Sequence, residues 1–158
     1  MLARAHVGVA LVALGISAGA QSGSPQTGDE AGIRRTLASY NDALNSGETS
    51  MVLPLYGEDG VFMPPYSQSA VGKDAVAKAY DAVFQELKFH VKFNIAEIVV
   101  MAPTWAFVRT NSAGTTDHHS TGRTVAEGNQ ELFVFKKGGD GTWRIARYSF
   151  SPTSPPGN

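Results

Sequence analysis

The feature that most constrains this chain is the pair of apolar runs between Asn129 and Phe150. The first reads Asn129-Gln130-Glu131-Leu132-Phe133-Val134-Phe135-Lys136-Lys137, and the second Thr142-Trp143-Arg144-Ile145-Ala146-Arg147-Tyr148-Ser149-Phe150. Gly138-Gly139-Asp140-Gly141 joins them. Two runs rich in aromatic and β-branched residues around a glycine-rich connection predict a β-hairpin, because glycine adopts the positive φ that such loops require. Side chains alternate along a strand, so Glu131 falls on the same face as Phe133 and Phe135. One acid is thereby placed among the apolar side chains, and any core or pocket has to be built against this hairpin.

Upstream, Thr27-Gly28-Asp29-Glu30 has the form of a helix capping box. Ile33, Leu37, Tyr40 and Leu44 follow at the spacing of one helical face, and Gly47 stops the run, predicting a helix over about 28–46. Thr49 or Ser50 caps a second, short helix through Met51, Leu53, Leu55 and Tyr56, with Pro54 near its first turn. Glu58-Asp59-Gly60 reads as a turn into a short strand, Val61-Phe62-Met63, closed by Pro64-Pro65. A third helix is predicted from Gly72 to Leu87, with Val76, Tyr80, Val83, Phe84 and Leu87 on its apolar face. Strands are expected over 89–101 and 105–113, then a polar turn region from Gly114 to Gly122, then strands near 124–136 and 142–150. Helices gathered early and antiparallel strands late predict an α+β fold, with the helices on one face of a curved sheet.

The first twenty residues read differently. Arg4 and His6 precede the apolar run Val7 to Ile16, and Ala18-Gly19-Ala20 stands before Gln21 as a small-residue cleavage signal. That is the pattern of a secretory signal peptide over 1–20, in a run too short for a membrane-spanning helix of ~20 residues. The expectation is a periplasmic or secreted protein with a polar linker over 21–28, a domain over 29–150 and a flexible tail over 151–158. Loss of the leader leaves 12 basic residues against 14 acidic ones, a balance with no electrostatic footprint for nucleic acid or for an anionic membrane. The absence of cysteine excludes disulfides, thiol catalysis and thiolate metal sites.

Three stretches carry a resemblance to a known family: Ser39-Tyr40-Asn41-Asp42-Ala43-Leu44-Asn45-Ser46-Gly47-Glu48, Leu55-Tyr56-Gly57-Glu58-Asp59-Gly60-Val61-Phe62, and the closing hairpin with Thr142-Trp143-Arg144-Ile145-Ala146. With the element order, they make residues 29–150 resemble the nuclear transport factor 2-like superfamily, in particular its small SnoaL-like and SgcJ/EcaC-type bacterial members. The resemblance implies a cystatin-like, cone-shaped barrel with a pocket between sheet and helices, often as a homodimer. It does not by itself imply a reaction, since this fold hosts isomerases, dehydratases, cyclases and binding modules. In ketosteroid isomerase a carboxylate base moves the proton, while a tyrosine and a protonated aspartate hold the enolate oxygen. By motif, Tyr40 matches the tyrosine and Glu131 the protonated acid, and Pro64 stands where the base belongs. Proline has no proton chemistry.

Tyr40 and Glu131 are therefore the candidate catalytic pair, as donor and as acid, without a matched base. The alternatives are a Tyr40 that is a core aromatic with a satisfied hydroxyl, and a Glu131 paired with Arg109 or Arg147. Phe62, Tyr80, Phe133, Tyr148 and Phe150 are the expected pocket wall, with Asn129 as a polar contact. Arg109 and Asn111 share a strand face with Trp105 and Phe107, where they would hold ligand oxygens or form edge or interface pairs. Asp117-His118-His119 is expected in a solvated loop. Adjacent strand residues point apart, so His118 and His119 do not suit one metal, and no metal site or cofactor is expected. Ser112 has no histidine or acid at a spacing diagnostic of nucleophilic catalysis. The leading expectation is an exported domain binding a small apolar or polyketide-like molecule. A proton-transfer enzyme and a homodimeric interaction module are its rivals.

Overall fold

Helix α1 (Gly28–Ser46) buries Ile33, Leu37, Tyr40 and Leu44, the stripe that its apolar spacing predicts, and adds Thr36 and Ala43 to the same face. The computed structural model describes residues 28–153, so the leader, the Thr27 cap, most of the linker and residues 154–158 lie outside the described residues. After α1 come a single-turn helix α2 (Thr49–Val52), a 3₁₀ turn (Leu53–Leu55), strands β1 (Tyr56–Met63) and β2 (Ala70–Val71), and helix α3 (Lys73–Glu86). The chain then runs through four strands: β3 (Leu87–Ala102), β4 (Trp105–His118), β5 (Arg123–Lys137) and β6 (Trp143–Pro152). The fold is α+β.

All six strands form one sheet, in the order β2-β1-β6-β5-β4-β3. β1 joins the last strand in parallel, and the other neighbours are antiparallel. The first strand is thus held by the hairpin that opened the sequence reading, and the helices cover the face that carries Phe133, Phe135 and Ile145, all fully buried. Three close contacts seat α1 against that hairpin. A Cβ on Gly32 would stand 2.9 Å from Cδ1 of Trp143, so the helix approaches β6 nearer than any larger residue allows. Thr36 Oγ1 donates to the Trp143 carbonyl at 2.8 Å, and Trp143 Nε1 donates to Asp29 at 3.1 Å.

β3 ends the sheet, and α1 covers its open edge. Asn45 donates through Nδ2 to the Val91 carbonyl and accepts from the Val91 amide, while Asn41 accepts from the Phe93 amide. Side-chain amides replace the missing neighbouring strand, which satisfies buried backbone groups and blocks the edge against another chain.

Four boundaries depart from the sequence reading. Tyr56, expected in the short second helix, is the first residue of β1, where pairing with Ile145 holds it extended. Glu58-Asp59-Gly60 is part of β1, where it forms an irregularity: β1 advances from Tyr56 to Val61 while β6 advances only from Ile145 to Arg147. Residues 114–118 continue β4 instead of turning. A Cβ on Gly114 would stand 2.0 Å from the His90 carbonyl oxygen, so this glycine marks a close approach of two strands. Finally, β6 continues past Phe150, with Pro152 opposite Asn129.

Candidate functional site

A cavity of about 440 Å³ opens between α1, α3 and the helix-covered face of the sheet. Its apolar lining comes from Phe62 on β1, Phe89 and Phe93 on β3, and Tyr148 and Phe150 on β6. Pro64, Pro65, Tyr66 and His118 are also among its lining residues, and Tyr66 is 92% exposed. Strand alternation explains why Tyr148 and Phe150 both face inward, and why Phe62 lies beside them across the parallel β1–β6 pair. The rings stack: Phe62 lies 4.7 Å from Tyr80 and 5.6 Å from Tyr148, both nearly parallel. Phe133 lies 4.1 Å from Tyr148 but is fully buried and does not line the cavity. It supports the wall from behind, a correction to its expected place in the lining.

Tyr40 and Tyr80 also line the cavity, and their hydroxyls meet at 2.7 Å. Tyr56, fully buried on β1, adds a third hydroxyl 2.9 Å from that of Tyr80. Tyr148 interacts with Tyr40 as well. Burial, which disfavours a phenolate, raises all four phenols above their ordinary range. They stay protonated and act as hydrogen-bonding groups. Tyr40 is thus a core aromatic with a satisfied hydroxyl that also reaches the cavity.

The polar part of the lining belongs to β4 and β5, between the aromatic residues of β6 and β3. Glu131 is only 4% exposed and lies on the inner face, where Thr110 Oγ1 and Ser112 Oγ donate to its two oxygens at 2.5 Å each. Burial pushes its carboxyl above the usual range, and the two hydroxyl donors oppose that shift. The acid does not itself line the cavity; Ser112 does. Asn129 continues the chain of contacts, donating to Ser112 Oγ at 3.4 Å and to Glu127 Oε1 at 2.8 Å. Thr116 Oγ1 donates to the other oxygen of Glu127.

Glu127 is the acid among the lining residues, and the sequence reading passed over it. Its signal was available. Counting back from Glu131 in steps of two along β5 gives Asn129 and then Glu127 on the same face. Ser112, set aside as a nucleophile, has a place here as a donor. Arg109 and Asn111 fall on the other face of β4, with Arg109 paired to Glu97, so neither reaches the cavity and Glu131 has no arginine partner. Arg147 donates instead to the Asp59 carbonyl. His118 ends β4 and lines the cavity, correcting its expected place in a loop, with Nδ1 3.6 Å from Glu86. His90 bonds Asp117, and His119 contacts the Gln85 carbonyl, so the three imidazoles do not converge. Among the described residues no group of three or more acids and histidines is placed to hold a metal, and no helix is long and apolar enough to cross a membrane.

A second cleft of about 470 Å³ lies at the hairpin loop, lined by Lys73, Lys136, Lys137 and Arg144 with Glu58 and Asp59. Its cations are already paired, Lys73 with Glu58, Lys137 with Asp29 and Arg144 with Asp140. That leaves the aromatic cavity as the better candidate.

Residues 37–148 match the SnoaL-like domain family. Among solved structures, a ketosteroid isomerase-like protein from Erwinia carotovora atroseptica is 36% identical, with a TM-score of 0.79 over 82% of this chain and 99% of that one. A nuclear transport factor 2-like superfamily protein from Salmonella enterica superposes with a TM-score of 0.71 at 16% identity, covering 82% of this chain and 94% of that one. A domain of unknown function with a cystatin-like fold, from Nostoc punctiforme, gives 0.65 at 17% identity over 83% and 81%. No curated protein matches the sequence. The family match runs from within α1, through α3, into β6, and on this evidence the chain belongs to the SnoaL-like domain family, with a nuclear transport factor 2-like fold.

Proposed function

We propose that this protein binds a small, largely apolar, ring-containing molecule in the cavity between its sheet and its helices. The observation that carries the reading is the mixed lining of one cavity. Stacked aromatic rings from Phe62, Tyr80, Tyr148 and Phe150 supply apolar surface, and Ser112, Asn129 and Glu127 supply a short polar stretch from β4 and β5. Apolar faces supply affinity and a few fixed polar groups supply orientation, which is the usual construction of a ligand site. The placement of Glu131 favours binding over proton transfer. Both of its oxygens are occupied by hydroxyl donors, Ser112 rather than Glu131 meets the cavity, and Pro64 lines it where the isomerase resemblance would put a base.

The leader-like residues 1–20 make this an exported binder, and the resemblance supports a homodimer. Exposed Val99 and Leu132, on the sheet face away from the helices, give a second copy apolar surface to cover. Sedimentation of the mature protein tests the dimer. The binding reading is tested by titrating the neutral dye N-phenyl-1-naphthylamine, which brightens in apolar surroundings. Saturable binding at one site per chain is expected, lost when Phe62→Arg puts a charge into the stack. Absence of saturable binding by the native protein would sink the reading.

A further inference from the structure

The charges around the cavity are unequal, and that inequality narrows the ligand class. Glu127 lines the cavity and accepts one hydrogen bond on each oxygen, from Thr116 and from Asn129. Each carboxyl oxygen has more than one acceptor position, so each keeps one for a further donor. Both of its present donors are neutral, so they orient the charge without cancelling it. Among the described residues, no lysine or arginine lines the cavity. The remaining titratable lining groups are His118, which stands beside Glu86, the exposed Tyr66, and Tyr40, Tyr80 and Tyr148, which burial keeps protonated. Behind Ser112 stands a second acid, Glu131.

Resting on the binding reading above, we propose that the ligand is an organic cation: an aromatic or alicyclic body bearing a protonated amine, with the ammonium on Glu127 and the rings against Phe62, Tyr148 and Phe150. Two effects act together at this place. The unneutralised carboxylate attracts a positive charge more strongly in a partly enclosed, apolar site than in water. The aromatic faces favour a cation over a neutral group through their quadrupoles. A ligand carboxylate meets the reverse: like charge from Glu127, and no lysine or arginine among the described lining residues to replace its lost water. Asn129 is a positioning residue in this scheme, because its amide nitrogen ties Glu127 to Ser112.

The experiment uses three probes of nearly one shape: 2-naphthylmethylamine, 2-naphthylmethanol and 2-naphthoate, each displacing N-phenyl-1-naphthylamine at neutral pH. The amine is expected to bind at least about tenfold more tightly than the carboxylate, with the alcohol between them. Glu127→Gln should bring the three within about threefold of one another, whereas Glu131→Gln should leave the order intact. Equal affinities in the native protein, or a preference for naphthoate, overturn the proposal while leaving the cavity as a ligand site. A charge preference that survives Glu127→Gln overturns it as well. Failure of every probe and of the dye would remove the binding reading together with it. The native protein's order of affinities decides the matter even where Glu127→Gln does not fold.

Discussion

Ser112 Oγ donates to Glu131 Oε1 at 2.5 Å, and that bond separates the buried acid from the cavity. On β4 and β5 the pairing puts Ser112 opposite Asn129 and Thr110 opposite Glu131, so two hydroxyls and an amide line up with two acids across adjacent strands. The arrangement gives Glu131 a fixed, satisfied place in the interior. It also puts Glu127, two residues along the same face from Asn129, at the cavity as the acid a ligand would meet.

The raised carboxyl of Glu131 fixes the sign of one pH dependence. Below the ordinary glutamate range both the folded and the unfolded chain carry the proton, and the group's stabilising contribution is fully present. Above that range the unfolded chain releases the proton first, so stability falls as pH rises through the raised value of the folded state. Urea unfolding of the wild type compared with Glu131→Gln, from about pH 4 to about pH 8, should lose ground to the variant as pH increases. A wild type that gains relative to Glu131→Gln over that window would contradict this account.

Ser112→Ala removes one of the two donors that favour the charged form of Glu131. The substitution should destabilise by about 1–3 kcal/mol above neutral pH, the range for losing a partner of a buried acid, and by less in acid. The decline should begin at the same pH, which the unfolded chain sets, and extend to higher pH, because the folded-state carboxyl is raised further. Unfolding of Ser112→Ala and Ser112→Thr at two pH values checks it, since Thr retains the donor.

Much of the fold was legible from local pattern. The spacing of Ile33, Leu37, Tyr40 and Leu44 and the alternation around Phe133 are short-range signals, and each buries the residues it marks. The misread positions depend on contacts between distant parts of the chain. Gly114 looks like a turn residue until β3 is placed against it, and Glu58-Asp59-Gly60 looks like a turn until β1 is paired with β6. The polar wall of the cavity was half legible, because Asn129 and Glu131 stand in the hairpin but their partners Thr110, Ser112 and Thr116 come from the neighbouring strand. Tyr56 was read as part of a helix, and only the assembled core brings its hydroxyl to Tyr80.

Asn45 tests the covered sheet edge. Asn45→Ala leaves the Val91 amide without its acceptor, whereas the Val91 carbonyl keeps the bond from Asn41. One orphaned, part-buried amide should cost about 1–2 kcal/mol. Asn45→Asp retains the acceptor but turns a carboxylate toward the Val91 carbonyl, and should be no better than alanine. Hydrogen exchange at Val91, faster in both variants than in the wild type, localises the effect to the edge.

Gly114→Ala should be more damaging than its size suggests. The added methyl would have to displace the His90 carbonyl, which is backbone and cannot rotate away, so β3 and β4 must separate locally. Overpacking of this kind costs about 1–3 kcal/mol and occasionally more, and the upper end is expected because the clash is with backbone. Gly139→Ala, in open space on the hairpin loop, is the control and should lie within about 0.5 kcal/mol of wild type. Thermal unfolding of the pair separates the two outcomes.

Tyr80 is the centre of the phenol cluster, bonded to Tyr40 at 2.7 Å and to Tyr56 at 2.9 Å. Tyr80→Phe preserves the ring and its stacking on Phe62, so the change removes a hydroxyl and little else. Tyr56 then holds a buried hydroxyl without that partner, while Tyr40 keeps its interaction with Tyr148. The single substitution should destabilise by about 1–3 kcal/mol, the penalty for leaving a buried polar group unpaired. Tyr56→Phe in the same background removes the stranded group, so the double variant should be more stable than the sum of the two single losses predicts, by about 0.5–2 kcal/mol. Urea unfolding of the two single variants and the double closes this cycle. Simple additivity would mean that the three hydroxyls do not act as one network.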